Sequence, residues 1–88
     1  MKVEYHKSFE RDLRRVRDQN LLDRVEAVLV ELESSEGLDS ISNIKAMKGH
    51  PDYCRVRIGD FRLGFKRIDG GVRIIRFLSR GEIYRKFP

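Results

Sequence analysis

Two glycine-bearing turns, Gly59-Asp60 and Asp69-Gly70-Gly71, divide residues 53–78 into three short runs. Turns this tight leave successive strands one arrangement, an antiparallel meander. The runs are residues 53–58, 61–67 and 72–78, and their alternation assigns faces. In the first, Cys54, Val56 and Ile58 share one side while Tyr53, Arg55 and Arg57 share the other. In the second, Phe61, Leu63 and Phe65 oppose Arg62, Gly64 and Lys66. Both strands thus offer an apolar side to a core and a basic side to something else. The third run, with Ile74, Ile75, Phe77 and Leu78, is apolar on both sides, as a central strand is, and its facing stays open.

The preceding half supplies a cover for the apolar side. Residues 1–5 alternate as a short strand, and Ser8 is placed to cap a helix carrying Phe9, Leu13 and Val16 at helical spacing. Asn20 is placed to cap a second helix, in which Leu21, Leu22, Val25, Val28, Leu29 and Leu32 form a broad apolar stripe flanked by Asp23, Glu26, Glu31 and Glu33. A hairpin of two such helices cannot hide its apolar side in water alone and needs a sheet. Ser34-Ser35-Glu36-Gly37 ends the helical pattern, and a polar loop leads to a short extended segment at residues 44–47. The expected fold is a single α+β domain over residues 1–88. An N-terminal helix hairpin packs on one face of a mainly antiparallel sheet of four to five strands.

Charge divides the chain along the same line. Residues 1–44 carry seven bases against ten acids, whereas residues 45–88 carry twelve against four. A positive field confined to one half steers anions to one surface, and nucleic acid is the commonest such anion for a small protein. Gly64 lacks a side chain on the basic side of its strand and leaves room there for something to approach. At this length about 60–65% of the unfolded surface is buried, so a deep internal pocket is not expected.

Other classes are excluded in turn. The lone Cys54 forms no intrachain disulfide and sits in the apolar set, where it reads as packed core. No apolar run approaches the ~20 residues of a membrane span, nor is there a signal-peptide core, so a cytoplasmic protein without membrane attachment is expected. His6, His50 and Cys54 lack the spacing of a zinc site, and no phosphate-binding glycine loop occurs; neither metal nor cofactor is expected. His50-Pro51-Asp52 reproduces the tripeptide of J-domain co-chaperones, but a β-rich stretch follows directly, and it reads as a turn into the strand.

Two paired signals carry a family resemblance: Arg55-Val56-Arg57-Ile58-Gly59-Asp60-Phe61-Arg62, preceded by Lys48-Gly49, and Arg80-Gly81-Glu82-Ile83-Tyr84-Arg85. Together, in this order after a strand and a helix hairpin, they resemble the RelE/ParE toxin superfamily over nearly the whole chain. The resemblance implies the toxin of a toxin–antitoxin pair. Its activity would be a metal-independent endoribonuclease, an mRNA interferase that blocks translation by cutting mRNA on the ribosome, silenced by a cognate antitoxin. It implies Arg62 as phosphate clamp, Arg80 at the scissile phosphate or leaving oxygen, and Tyr84 at a base. Lys45, Arg55, Arg57, Lys66 and Arg85 would guide the RNA.

The chemistry suits such residues. Attack of a ribose 2′-hydroxyl on its own 3′ phosphate passes through a phosphorane with added negative charge, which guanidinium groups fixed in advance stabilise more than the ground state. In-line geometry must also be imposed, and a rigid sheet with a stacking ring does that. The proton acceptor departs from the family pattern. Nuclease relatives carry lysines where Arg55 and Arg57 stand, and many have His where this chain has Ser79; an arginine is a poor proton acceptor. Either Lys48, Glu82 or the ribosome takes the proton, or cutting is slow. Two rivals remain: a ParE-like inhibitor of DNA gyrase on the same scaffold, and a non-catalytic module that binds nucleic acid by charge alone.

Overall fold

The alternation of the C-terminal runs becomes a two-sided sheet in a computed structural model describing residues 1–88. The chain runs β1 (Lys2–Tyr5), α1 (Lys7–Arg14), α2 (Gln19–Ser34), a 3-10 turn (Leu38–Ser40), β2 (Ile44–Met47), β3 (His50–Ile58), β4 (Phe61–Ile68), β5 (Gly71–Ser79) and α3 (Arg80–Lys86). The five strands lie in the order β1-β5-β4-β3-β2, with β1 parallel to β5 and every other pair antiparallel. The α+β class, the helix pair and the meander are as expected. Gly59 and Gly70 hold positive φ angles of 59° and 80°, the left-handed values that two-residue hairpin turns require.

Cys54, Val56, Ile58, Leu63, Phe65, Val72, Ile74 and Phe77 form one core with Phe9, Val25, Leu32 and Ile41. Both helix caps differ from expectation. His6 caps α1, its Nδ1 accepting from the Ser8 N–H at 3.1 Å, and Asp18 caps α2, accepting from the Leu21 N–H at 3.2 Å. Each stands in extended backbone one residue before the first helical residue, the position from which a side-chain acceptor reaches the free N–H groups. Ser8 and Asn20 lie inside the helices instead.

β5 is an inner strand, between β1 and β4, while β4 stands at the middle of the five. The facing of β5 was illegible because the strand is bulged: Phe65 pairs with Ile74 and Gly64 with Arg76, so Ile75 has no partner on β4. The extra residue puts both Ile74 and Phe77 in the main core, while Ile75 and Leu78 pack on the opposite side. Beyond Ile74, β1 ends and leaves one edge of β5 without a strand. Polar groups at and just before α1 take over that edge. The His6 N–H donates to the Ile74 carbonyl (2.8 Å), the Ser8 hydroxyl to the Ile75 carbonyl (2.5 Å), and the Phe77 N–H to Asp12 Oδ2 (3.0 Å). Asp12, only 3% exposed, also receives Arg76 through Nε at 2.7 Å and Nη2 at 3.0 Å.

The parallel pairing of β1 rests on Gly71, which faces Lys2. A Cβ there would lie 1.8 Å from the Lys2 carbonyl oxygen, a backbone atom that cannot rotate away. Gly71→Ala is expected to detach β1 and cost on the order of 3 kcal/mol, read as a lower urea midpoint. A midpoint within 0.5 M of the parent would refute that role.

Candidate nucleic-acid interface

The sequence pattern leaves the basic face bare, but α3 lies across part of it. The motif that carried no structural assignment above is a helix from Arg80 to Lys86, N-capped by Ser79, whose Oγ accepts from the Glu82 N–H at 3.3 Å and donates to Glu82 Oε1 at 3.2 Å. Met47, Leu78, Ile83 and Phe87 form a second small core beneath it. The room left by Gly64 is filled from within, since a Cβ there would meet the Phe87 ring at 2.8 Å.

Strand register sorts the remaining side chains into rows. Lys45 pairs with Arg55, Arg55 with Gly64 and Gly64 with Arg76; Arg57 pairs with Arg62 and Arg62 with Leu78; Tyr53 pairs with Lys66 and Lys66 with Arg73. Tyr84, 56% exposed, sits above the first row with the Arg55 guanidinium 5.6 Å from its ring centre. Lys66 lies 5.5 Å from the Tyr53 ring centre. Lys45, Arg57 and Arg85 are exposed.

Arg62 is only 8% exposed, rather than lying open on the face. Its Nη1 donates to the carbonyls of Gly59 (3.0 Å) and Phe61 (2.9 Å), and its Nε is buried with no acceptor. Arg80 reaches the same end of the sheet: its N–H donates to the Asp60 carbonyl at 2.8 Å, next to the pairing of Phe61 with Ser79. Its side chain is exposed.

Lys48 and Glu82 do not join this group as a pair. Glu82 works at the start of α3, where the Lys86 ammonium at 3.2 Å, and then the Ser79 hydroxyl, hold its carboxyl below the usual range. Lys48 lies at the β2–β3 turn, in a cleft of about 300 Å³ shared with Met47, His50, Tyr84, Arg85, Phe87 and Pro88. His50 and Arg57 stand seven residues apart on β3, roughly 23 Å at ~3.3 Å per residue. Lys48 and Arg62 therefore cannot meet on one phosphate. A larger cleft, about 460 Å³, lies where the α1–α2 link meets β4, β5 and α3; the acids Asp12, Asp18 and Glu82 outnumber Arg15 and Arg17 around its apolar floor. That excess of acid makes it a poor anion site.

Sequence reasoning missed two features here. His50, instead of lying in a turn, opens β3 and borders the same cleft as Lys48. The Asp12 tether on Arg76 spans 64 residues and had no local signal. No group of three or more His, Cys, Asp or Glu side chains is arranged to hold a metal ion, and no helix is long and apolar enough to cross a membrane.

Comparison with known proteins gives consistent matches. The family model described as ParE toxin of type II toxin–antitoxin system, parDE, matches residues 3–84. Toxin RelE3 of Methanocaldococcus jannaschii is 33% identical over the full length of both chains. Among solved structures, the RelB–RelE antitoxin–toxin complex from Methanococcus jannaschii superposes with a TM-score of 0.82 at 29% identity, covering 97% of this chain and 99% of that one. The Escherichia coli DinJ–YafQ complex matches in fold, with a TM-score of 0.64 at 18% identity over 94% and 97% of the two chains.

Proposed function

The chain belongs to the RelE/ParE superfamily of toxins of type II toxin–antitoxin systems, and from that premise we propose that it is an endoribonuclease that cuts mRNA on the ribosome. The observation that carries this reading is the Arg62 guanidinium, held in place by the Gly59 and Phe61 carbonyls and placed beside the exposed Arg57 and Arg80. Fixed by two carbonyls, the guanidinium needs no reorganisation when the phosphorane forms.

Around that clamp the roles follow from position. Arg57 is the neighbour of Arg62 in its row, and Arg80 approaches from the first turn of α3. Tyr84 offers the open side of its ring to a splayed base, with Arg55 beneath it. The 2′-oxygen attacks phosphorus and the 5′-oxygen leaves, taking up a proton from water, to give a cyclic phosphate and a free 5′-hydroxyl. With Glu82 engaged in the helix cap and Lys48 beyond reach of Arg62, the ribosome or its ordered water takes the 2′ proton. A cognate antitoxin, acidic or amphipathic, covers the basic face or displaces α3. The similar Methanococcus jannaschii toxin was solved in complex with its antitoxin.

Inducible expression with mapping of cellular mRNA 5′ ends, run beside a supercoiling assay, tests the reading. In-frame cuts in translated mRNA are expected. Intact mRNA with relaxed or broken DNA would replace the nuclease with a gyrase inhibitor.

A further inference from the structure

We propose that Phe87 is a positioning residue for the reaction: its ring, seated in the notch that Gly64 leaves on the sheet, sets where α3 holds Tyr84. This rests on the endoribonuclease reading and adds to it a buried residue that acts through Tyr84 rather than on the RNA.

A helix this short does not hold its own place. α3 has 7 residues, well below the roughly 12–15 that an isolated helix needs in water, so its position depends on what it packs against. It is attached at both ends. At the start, Ser79 pairs with Phe61 and the Arg80 N–H donates to the Asp60 carbonyl at 2.8 Å. At the far end, the Phe87 N–H donates to the Ile83 carbonyl at 2.9 Å, which carries the last turn onward and brings Phe87 to the same side as the buried Ile83.

The far attachment is a ring in a socket. A Cβ on Gly64 would lie 2.8, 2.8 and 3.0 Å from three carbons of the Phe87 ring, so a side chain there would push the ring out. The ring is 4% exposed, shares its small core with Met47, Leu78 and Ile83, and stands edge-on to Tyr53 with centroids 5.7 Å apart. Register places Gly64 between Arg55 and Arg76. Arg55 is thus the neighbour of the socket and also the cation 5.6 Å from the Tyr84 ring centre. Seating Phe87 beside Arg55 therefore brings Tyr84, one turn earlier on α3, over that same guanidinium.

Distance from the first attachment decides which functional group depends on the socket. Arg80 stands at that attachment and hardly moves when the far end is freed. Tyr84 lies one turn on, ~6 Å along a helix rising ~1.5 Å per residue, so a tilt of about 10° carries it ~1 Å sideways. A displacement of that size can cost up to ~10²-fold in rate. The effect stays local, because Phe87 belongs to the small core under α3 and not to the main core that joins the helix hairpin to the meander.

The test measures mRNA cutting by the purified full chain on programmed ribosomes, together with NMR of ring-labelled tyrosine. Phe87→Ala is expected to lower kcat about tenfold with KM within about twofold, and Phe87→Leu, which keeps an apolar side chain over Gly64, to recover most of the rate. Gly64→Ala reaches the same contact from the other side and is expected to reproduce the loss. In a Tyr84→Ala background, Phe87→Ala is expected to cost almost nothing more, because the group it misplaces is already gone. The Tyr84 ring signals are expected to shift in Phe87→Ala and Gly64→Ala, while those of Tyr5, on the edge strand β1, stay in place. A loss of about tenfold that persists in the Tyr84→Ala background would overturn the proposal, as would unmoved Tyr84 signals in Phe87→Ala. Wild-type chain that cuts no mRNA would overturn the nuclease reading, and the ring signals would still decide whether Phe87 places Tyr84.

Discussion

Arg62→Ala is expected to lower mRNA cutting about 10²–10³-fold, the loss that follows removal of one preorganised donor from a developing oxyanion. The effect falls on kcat, because the guanidinium answers charge that exists only as the bond breaks. The same substitution removes two hydrogen bonds to the Gly59 and Phe61 carbonyls, at a cost of about 1–2 kcal/mol of stability. A urea titration shows whether the variant stays folded at the assay temperature. Lys66→Ala supplies the contrast. Lys66 rests against the Tyr53 ring on the same face, so its loss removes one charge without touching the clamp, and at most a few-fold weaker binding is expected. Equal losses from the two variants would mean that charge alone matters and that there is no catalytic hierarchy.

What the sequence made legible was short-range. Alternation in β3 and β4 fixes which residues are buried, because a side-chain period of two admits no other facing once two tight turns set the strand ends. The α2 stripe is likewise read from its own spacing. Long-range effects were illegible. The Ile75 bulge breaks the period of β5, and no local residue marks it, since Ile75 is as apolar as its neighbours. The helical state of residues 80–86 was announced by Ser79-Arg80-Gly81-Glu82, a capping-box pattern, but β-like flanks concealed it. Missing α3 made the basic face look empty.

Asp12 carries the largest expected effect on stability, and it joins the edge of the sheet to the basic face. Its carboxylate satisfies three donors at once, Arg76 Nε, Arg76 Nη2 and the Phe77 N–H, at a site 3% exposed. Asp12→Ala leaves both the Phe77 N–H and a largely buried guanidinium without an acceptor. Breaking a buried pair from one side costs about 3–5 kcal/mol, a large fraction of the ~5–15 kcal/mol that holds a small domain together. Asp12→Asn keeps an acceptor for Phe77 and is expected to lose less. Replacing Arg76 by Met in the Asp12→Ala background restores part of the loss by removing the stranded charge, so the double-mutant cycle closes with a coupling of about 1–3 kcal/mol. A loss under 0.5 kcal/mol for Asp12→Ala in urea unfolding would mean that water serves this edge as well as the carboxylate does. The pairing also bears on the interface, because Arg76 stands in the row of Lys45 and Arg55 yet has its guanidinium turned to α1. Held there, its guanidinium is not free on the basic face, and the helix that closes the sheet edge thereby also sets which arginines are left unpaired on that face.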